Sequence, residues 1–379
     1  MIHDLGKITA DLVRNLDEKM SEVVLGEPHF SNVFRRYPFK RENFRPVLQA
    51  QLFEGDNASK LAFIDGGNGE ILGAPNFSIQ FNRVYYCMFK GKNRVAKRTN
   101  AIDKIEFLSC TFSTFKNKEI YYDTTIYPLS NAFRDLLPNE SDLSFDSSDR
   151  TVMEGRELAD IRRVASIARR FAEWSFATYV AENELKPNDV VVMDGTLQAA
   201  FTHESRYAKK LYEAATQAGV TVTGLAKTSR LFTDTGLSLI GAVQKFAEDC
   251  KLNFGSWYFP IAEIAEIDHQ AMIFVTKLNQ QANHVFRYEI QRDQHNALTA
   301  REIDNIFSML ADNARDITFP GYPYGCIAVD SYGRVSEHDL EYYRAVIMAE
   351  AAKQGKWPKF ARHMQALDAH DILNSLVGV

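Results

Sequence analysis

The chain has 379 residues, of which 45% are hydrophobic and 25% are charged, which is typical of a globular protein. No apolar run approaches the roughly 20 residues that a membrane-spanning helix needs, so the sequence predicts no membrane contact. The net charge of -5 excludes a protein whose whole surface attracts nucleic acid, but it allows a local basic groove beside an acidic site.

The N-terminus and the cysteines indicate a cytoplasmic protein. Residues 1–20 are amphipathic and mixed in charge, without the basic start and apolar centre of a signal peptide. The cysteines are far apart and form no C-x-x-C pair, so we expect free thiols in a reducing compartment rather than a structural zinc site.

The first elements along the chain are a helix and a basic segment. Within residues 1–27, apolar side chains recur at helical spacing, at Leu5, Ile8, Leu12, Leu16 and Met20. The stretch 35–45 carries several arginines and lysines and is either a solvated surface or a contact for phosphates.

The apolar run 61–64, followed by Asp65, Gly66 and Gly67, is the first chemical motif. We predict a buried strand that ends at Asp65 and turns on the glycines. That places a carboxylate at the edge of a sheet beside bare backbone, as metal and phosphate sites require. An ordinary aspartate at a strand-to-turn junction is the alternative.

A second copy of this pattern follows in residues 190–195, where an apolar run leads to Asp194 and Gly195. Two strands that deliver an Asp-Gly pair to the same edge would bring two carboxylates within reach of a shared ion. The pair of motifs therefore predicts the core of a metal-dependent nuclease site.

Between the two motifs we predict a β-rich region and then a helix. The strands are expected over 77–90, 105–115 and 119–129, followed by a loop or insertion over 131–150 and a long helix from about Met153 to Glu184. The link 90–98, which is rich in lysine and arginine, is either a charged hairpin tip or a contact for a phosphate backbone.

The second half of the chain alternates predicted helices and strands. Helices are expected over 203–218, 237–250 and 298–314 and from Ser336 onward, with strands over 219–230, 257–264, 271–278 and 284–291. Thr299 with Glu302 is typical of a helix capping box. No phosphate-binding loop is present in the sequence, so this chain alone should not hydrolyse ATP.

The order of these elements resembles the ribonuclease H-like fold. This is an α/β fold with a mixed sheet flanked by helices, here with N-terminal and C-terminal helical extensions. The resemblance implies that the first and fourth strands each present an aspartate, that the intervening helix supplies a glutamate, and that a further ligand comes from late in the chain.

More specifically, the sequence resembles the NurA family of DNA-end-processing nucleases over residues 60–335. The motifs that carry the resemblance are, in order, Asp65-Gly66-Gly67, Asp194-Gly195-Thr196-Leu197, residues 224–229 with Lys227, and Tyr322-Pro323-Tyr324 followed by Ile327-Ala328-Val329-Asp330. The domains implied are an N-terminal helical or dimerisation extension (1–50), the nuclease domain (51–335) and a C-terminal helical segment (336–379).

The resemblance implies a metal-dependent exonuclease and endonuclease that processes single- and double-stranded DNA ends with Mn²⁺ (or Mg²⁺). It also implies a homodimer docked on a HerA-type hexameric ATPase, which would supply the ATP-driven movement. Whether the biological role is DNA repair by end resection or antiviral defence against phage stays open.

The site residues that the resemblance implies fall into two groups. The metal ligands are Asp65, Asp194, the helix glutamate Glu173 and Asp330, which stands where many family members have histidine. Lys227 would neutralise the phosphate, and Tyr322 would hydrogen-bond it or orient the nucleophile. Glu154 and Glu157 are rivals for the helix position, since they lie closer to the apolar face by helical phase.

Alternatives remain for single residues and for the whole chain. Lys227 is otherwise a solvated strand end, and Tyr322 a packing aromatic. The chain could be a catalytically decayed module that only binds nucleic acid or a partner. It could also be an unrelated phosphatase with Asp65 as nucleophile, although Gly67 occupies the position where such an enzyme has its second acid.

Overall fold

The computed structural model describes residues 5–21, 24–30, 33–48, 59–116, 118–155 and 159–364. Its α-helices are α1 (Leu5–Ser21), α2 (Ile161–Ala165), α3 (Ile167–Asn183), α4 (Glu204–Ala218), α5 (Leu239–Asp249), α6 (Arg292–Ala297), α7 (Ala300–Asn313), α8 (Tyr324–Gly333) and α9 (Glu337–Lys353). Short 3₁₀ helices span Arg41–Asn43, Asn131–Leu136 and Glu140–Leu143. Within the described residues, no helix is both long and apolar enough to cross a bilayer.

The strands divide into short terminal pieces and long central ones. In chain order they are β1 (Pro28–His29), β2 (Arg35–Arg36), β3 (Arg45–Pro46), β4 (Leu61–Ala74), β5 (Phe77–Lys90), β6 (Asn93–Val95), β7 (Lys104–Lys116), β8 (Glu119–Pro128), β9 (Ser144–Asp146), β10 (Val190–Asp194), β11 (Thr221–Ala226), β12 (Phe232–Thr233), β13 (Trp257–Glu266), β14 (His269–Lys277) and β15 (Phe286–Gln291). The strands predicted over 77–90, 105–115 and 119–129 are thus confirmed as β5, β7 and β8.

Most of the strands form one mixed sheet. Its order is β2-β13-β14-β15-β11-β10-β4-β5-β7-β8-β9, with β3 beside β13 and β6 beside β5, while β1 and β12 pair separately. The strands β4, β10 and β11 run parallel, and the other described pairs are antiparallel. The predicted fold class is confirmed as an α/β fold with a large mixed sheet flanked by helices.

The central strands are buried on both faces, which explains their unbroken apolar runs. In β4, Ala62 and Ile64 pack toward the face covered by α3 and α4, whereas Leu61 and Phe63 pack toward the face covered by α7 and α8. Residues of β10 divide between the same two cores. Because side chains alternate along a strand, Asp65 and Asp194 both project toward the α8 face.

The prediction that a strand ends at Asp65 is wrong. The strand β4 continues through Ala74, because β5 pairs with it along its whole length. Only the parallel pairing with β10 ends there, at Ile64 opposite Met193. Asp65 therefore lies at the edge of the parallel part of the sheet, although it is in the middle of its own strand.

The helix predicted from Met153 to Glu184 is shorter than expected. It begins at the cap Asp160, whose side chain accepts from the Arg162 amide, and it is divided at Ser166 into α2 and α3. The segment 131–150, predicted as a loop or insertion, contains two 3₁₀ helices and β9. The capping box of Thr299 and Glu302 is confirmed at the start of α7.

The two ends of the described chain differ in their packing. All residues of α1 from 5 to 20 are exposed, including its apolar stripe. The C-terminal helix α9 places Leu340 against Ile71, Leu72 and Phe81, on the half of the β4–β5 hairpin beyond Asp65. The division into residues 1–50, 51–335 and 336–379 stays a prediction.

Candidate active site

Asp65 and Asp194 are neighbours because β4 and β10 run in parallel register. Val190 lies opposite Leu61 and Met193 opposite Ile64, so the next residue of each strand is an aspartate. The chain after β10 turns away at Gly195, whose φ of +133° suits glycine and few other residues. The sequence pattern thus places two carboxylates side by side at the point where the parallel pairing ends.

A third carboxylate, Asp330, comes from α8. This helix lies against β4, and a Cβ at Gly325 would overlap the buried ring of Phe63. At the other end of the helix, a Cβ at Gly333 would lie 3.5 Å from the Asp65 carbonyl oxygen. One carboxylate oxygen each from Asp65, Asp194 and Asp330 lies within 4.8 Å of the others, and all three residues are partly exposed.

Lys227 links two of these carboxylates. It follows β11 directly, and β11 pairs with β10 so that Leu225 lies opposite Asp194. The Lys227 Nζ lies 2.7 Å from Asp194 Oδ2 and 2.8 Å from Asp330 Oδ1. The ammonium group therefore provides one positive charge to a cluster of three carboxylates.

The pKa values report an excess of negative charge. Burial, and then the charge of Asp194, raise the pKa of Asp65 to about 7. Burial also raises the pKa of Asp194, although the hydrogen bond from Lys227 opposes the rise. The hydrogen bond from Lys227 lowers the pKa of Asp330, which is more exposed. At Lys227, partial burial favours a lower pKa of the ammonium. The hydrogen bonds to Asp194 and Asp330 outweigh this effect and raise the pKa.

This donor set fits a divalent cation. Carboxylate oxygens are the ligands that Mg²⁺ and Mn²⁺ prefer, and a cation would relieve the repulsion that raises the pKa of Asp65. Asp65, Asp194 and Asp330 are the residues that would hold the ion.

Glu173 lies beside this group but outside it. Its buried carboxylate pairs with Arg169 and lies 3.4 Å from Arg170 Nη1. A Cβ at Gly66 would be 2.9 Å from Glu173 Oε1, so the carboxylate touches β4 from the α3 face, opposite to the side chain of Asp65. Burial raises the pKa of Glu173, against the charges of both arginines.

The rival glutamates lie elsewhere. Glu154 is exposed and lies 3.6 Å from Arg163, and Glu157 is outside the described residues. Of the glutamates proposed for the helix position, Glu173 is the one that the structure brings to the β4 backbone at Gly66.

Arg169 and Arg170 are site residues that the sequence analysis missed. Arg169 donates to the Gly66 carbonyl at 3.1 Å and to Asn68 Oδ1 at 2.9 Å, so it fixes the backbone after Asp65. Arg170 donates to the carbonyls of Thr196 and Gln198, so it fixes the loop after Asp194. Two adjacent arginines within one helical turn of Glu173 were the available signal.

Glu204 completes this second network and was also missed. It is fully buried and accepts from Arg170 Nε at 2.8 Å and Trp174 Nε1 at 2.7 Å, as well as from the amides of Ala200 and Phe201. Because burying an arginine is costly without a partner, Glu204 allows Arg170 to lie under the Asp194 loop.

Tyr322 is mostly a packing residue. Its ring is buried and packs 5.2 Å from Phe319 and 5.1 Å from Phe286, between ring centroids. Burial, followed by the influence of Cys326 and Asp194, raises the pKa of the Tyr322 hydroxyl well above its usual range. The hydroxyl is therefore neutral, so it can donate a hydrogen bond but cannot act as a base near neutral pH.

The mixed sheet brings three carboxylates together where its parallel pairing ends, an arrangement that suits enzymes that use divalent ions on phosphate groups. The chain belongs to the NurA family, because the family model of the NurA domain matches residues 59–335. It is accordingly a nuclease. No curated protein matches the chain in sequence.

Several solved structures are similar to the chain. Endonuclease V of Ciona intestinalis, in complex with a 24mer DNA that contains an inosine, is 10% identical, with a TM-score of 0.34 and coverage of 76% of this chain and 90% of that one. The catalytic domain of human Endonuclease V is 9% identical, with a TM-score of 0.33 and coverage of 89% and 97%. Argonaute of Aquifex aeolicus is 11% identical, with a TM-score of 0.24 and coverage of 69% and 25%.

The raised pKa of Asp65 predicts a pH-dependent gain in stability for Asp65→Asn in the metal-free protein. The folded wild type holds a proton on Asp65 up to about pH 7, whereas the unfolded chain releases it near its ordinary pKa, so wild-type stability falls as the pH rises between the two. The stability of the Asn variant does not fall in this way, because the amide of Asn carries no proton that titrates in this pH range. We expect its free energy of unfolding in EDTA to exceed that of the wild type by on the order of 2–4 kcal/mol at pH 8, and by less at pH 5.

Urea unfolding at both pH values measures this difference. The exposed Asp249, paired with Lys245 at 3.4 Å, provides the control Asp249→Asn, which should show no such pH-dependent gain. A wild type that is more stable than Asp65→Asn at pH 8 would contradict the prediction.

Proposed function

We propose that the protein is a divalent metal-dependent deoxyribonuclease with exonuclease and endonuclease activity on DNA ends, with Mn²⁺ or Mg²⁺ as its ion. The observation that supports this most is the group formed by Asp65, Asp194 and Asp330, whose carboxylate oxygens lie within 4.8 Å of one another. An assembled ligand set also argues against a catalytically decayed module that only binds nucleic acid or a partner.

The proposed division of labour follows from the charges around the site. A bound divalent ion supplies Lewis-acid charge that lowers the pKa of an attacking water and offsets the charge of the scissile phosphate. Asp65, Asp194 and Asp330 bind it. Lys227 already lies against two of these carboxylates, so its ammonium is positioned to contact a phosphate oxygen there. Tyr322 acts as a neutral donor rather than as a proton acceptor.

Glu173 is proposed as the helix residue of the site. Its contact with the Gly66 position puts a carboxylate on the second face of β4, and its pairing with Arg169 and Arg170 stabilises the segments that carry both aspartates. Glu173 can serve as a further ligand or as a positioning residue, and in both roles cleavage depends on its charge.

The metal site predicts the effect of removing single charges. Asp65→Asn and Asp194→Asn should each abolish metal-dependent cleavage of labelled single- and double-stranded DNA, because each removes a charged ligand while keeping the side-chain shape. EDTA should abolish cleavage by the wild type as well. Asp249→Asn is the matched control and should cleave normally. Full activity of either purified, folded site variant would refute the assignment.

The helix residue makes a separate prediction. Glu173→Gln should lower the rate of cleavage by about tenfold to a hundredfold, as expected for a ligand or its immediate support. Glu154→Gln should have little effect, because Glu154 is exposed and pairs only with Arg163 among the described residues. Rates under single-turnover conditions measure both. A larger loss for Glu154→Gln than for Glu173→Gln would show that Glu173 is not the glutamate of the site.

The partners are proposed largely from family membership. We propose a homodimer that works in the cytoplasm with a HerA-type hexameric ATPase, since this chain contains no phosphate-binding loop of its own. The support in the structure is α1, where Leu5, Leu12 and Met20 are 62%, 57% and 72% exposed. An apolar stripe this open is typical of an interaction surface. The sequence offers a second candidate docking or dimer surface, the C-terminal segment with Leu373 and Leu376, which lies outside the described residues.

If α1 mediates assembly, changes in its apolar stripe should weaken complex formation more than they weaken DNA cleavage. The protein should co-elute with a HerA-type ATPase and gain ATP-dependent digestion of long duplex DNA. Removing residues 1–20, or the milder change Leu12→Gln, should weaken the dimer or the complex before it affects cleavage of short single strands. Arg14→Gln, on the polar face of α1, is the control. Light scattering that shows a monomer, unchanged by the ATPase, would contradict the proposal.

A further inference from the structure

A cluster of two tyrosines and an arginine lies beside the carboxylates, and neither the family match nor the metal site accounts for it. Its members are Tyr85 on β5, Arg94 on β6 and Tyr332 on α8. We propose that this aromatic cluster is a base-binding platform that stacks one unpaired base of a nucleic-acid strand next to the scissile phosphate. The inference rests on the proposed nuclease function and adds the part of the substrate that is recognised.

The platform lies next to the metal site because of one cross-strand pair and one short stretch of helix. Tyr85 lies directly opposite Asp65 in the β4–β5 pairing, so the two side chains project from the same face of the sheet. Tyr332 follows Asp330 by two residues on α8. The next residue, Gly333, packs against the backbone of Asp65, with its Cβ position 3.5 Å from the Asp65 carbonyl oxygen. Because directly opposed residues of an antiparallel pair have Cβ atoms about 5 Å apart, Tyr85 is an immediate neighbour of Asp65, and a base stacked on this cluster lies beside the carboxylates.

The three side chains hold one another in place. The rings of Tyr85 and Tyr332 pack with their centroids 5.1 Å apart and an interplanar angle of 36°. Arg94 donates to the Tyr85 hydroxyl at 2.5 Å, and its guanidinium carbon lies 5.1 Å from the centroid of the Tyr332 ring. Tyr85 is 8% exposed and supports Tyr332 from below, while Tyr332 is 52% exposed and presents its ring to solvent.

The charge of Arg94 is available to a ligand. Among the described residues, no carboxylate pairs with Arg94, and its contacts are the two tyrosines. By contrast, the nearby Lys97 pairs with Asp103 at 3.1 Å. A cavity of about 240 Å³ lies between Tyr85, Arg94 and Lys97, beneath the β5–β6 hairpin. An exposed ring beside an uncompensated arginine matches the way in which proteins bind a base and its phosphate together.

Single-stranded nucleic acid is the ligand that this chemistry favours. A ring can stack on a base only where the face of the base is open, and within a duplex the neighbouring stacked bases cover that face. The platform therefore contacts the unpaired end of a strand whose next phosphate reaches Asp65, Asp194 and Asp330. A duplex substrate would have to fray before it uses the platform.

The test measures binding without cleavage. Fluorescence anisotropy in EDTA gives the affinity for a short fluorescein-labelled single-stranded oligodeoxynucleotide, and for versions with one abasic nucleotide placed at each position in turn. Tyr332→Ala should weaken binding of the intact strand by about tenfold, and Tyr332→Phe should not. With the abasic nucleotide at one particular position, Tyr332→Ala should bind as well as the wild type. Tyr342→Ala is the control, because Tyr342 is 61% exposed on α9 and packs on Tyr343.

A second variant, Arg94→Gln, tests the contribution of the arginine charge to binding. Arg94→Gln should reduce the slope of log affinity against log salt by about 0.7, the value for one contact to a single-stranded phosphate. Equal losses for Tyr332→Ala and Tyr342→Ala, or a Tyr332→Ala loss that is the same at every abasic position, would overturn the platform. A loss seen only with intact duplex would also overturn it.

The outcomes separate this inference from the proposed function. If the wild type cleaves with Mn²⁺ but Tyr332→Ala shows no base-specific loss, the platform fails and the nuclease stands. If the base-specific loss is present but the wild type does not cleave with any divalent ion, the platform stands and the proposed function fails.

Discussion

Repulsion between carboxylates that the fold brings together in a half-buried space is the constraint on which this structure depends. Asp65 and Asp194 lie side by side because their strands run parallel in register, and α8 adds Asp330. The raised pKa of Asp65 shows the free-energy cost of this arrangement. The surroundings limit that cost with cations placed on both faces of the sheet, and the remaining excess of negative charge is what makes the site attractive to a metal ion.

The charged residues on the two faces of the sheet make different contacts. On the α8 face, Lys227 contacts the carboxylates of Asp194 and Asp330 directly. On the α3 face, Arg169 and Arg170 bind the backbone that follows each aspartate, and Glu173 and Glu204 balance their charge. The network has to be complete, because the buried carboxylates of Glu173 and Glu204 would be strongly destabilising without their arginines. The backbone that follows Asp65 and Asp194 is therefore held by arginines on the face of the sheet opposite to the two carboxylates.

Close packing of backbones makes the assembly possible. The helix α8 lies very near to β4. A side chain at Gly325 of α8 would overlap Phe63 of β4, and a side chain at Gly67 of β4 would overlap the backbone of α8 at Gly333. This proximity delivers Asp330 to the aspartates, and it also brings Tyr332 to Tyr85 and hence to the edge of the site. The same helix thus connects the metal site, the aromatic cluster and the core around Phe63.

The sequence by itself determined the fold class, most of the strands and the two aspartate positions. Continuous apolar runs that end in Asp-Gly can be interpreted locally, and two such runs in parallel strands must share an edge. The cap at Thr299 was also readable, since capping depends only on residues three apart. The family resemblance added Glu173, Lys227 and Asp330, and the structure places all three around the aspartates.

Only the tertiary structure decided how these residues divide into a group that can share an ion and a group that supports it. Nothing near Asp65 in the sequence shows that β4 continues to Ala74, because that extension depends on pairing with β5. The separation of Glu173 from Asp330 depends on which face of the sheet each helix covers, and the roles of Arg169 and Arg170 depend on loops many residues away. Local patterns record the neighbours of a residue along the chain, whereas contacts across a sheet are set by packing.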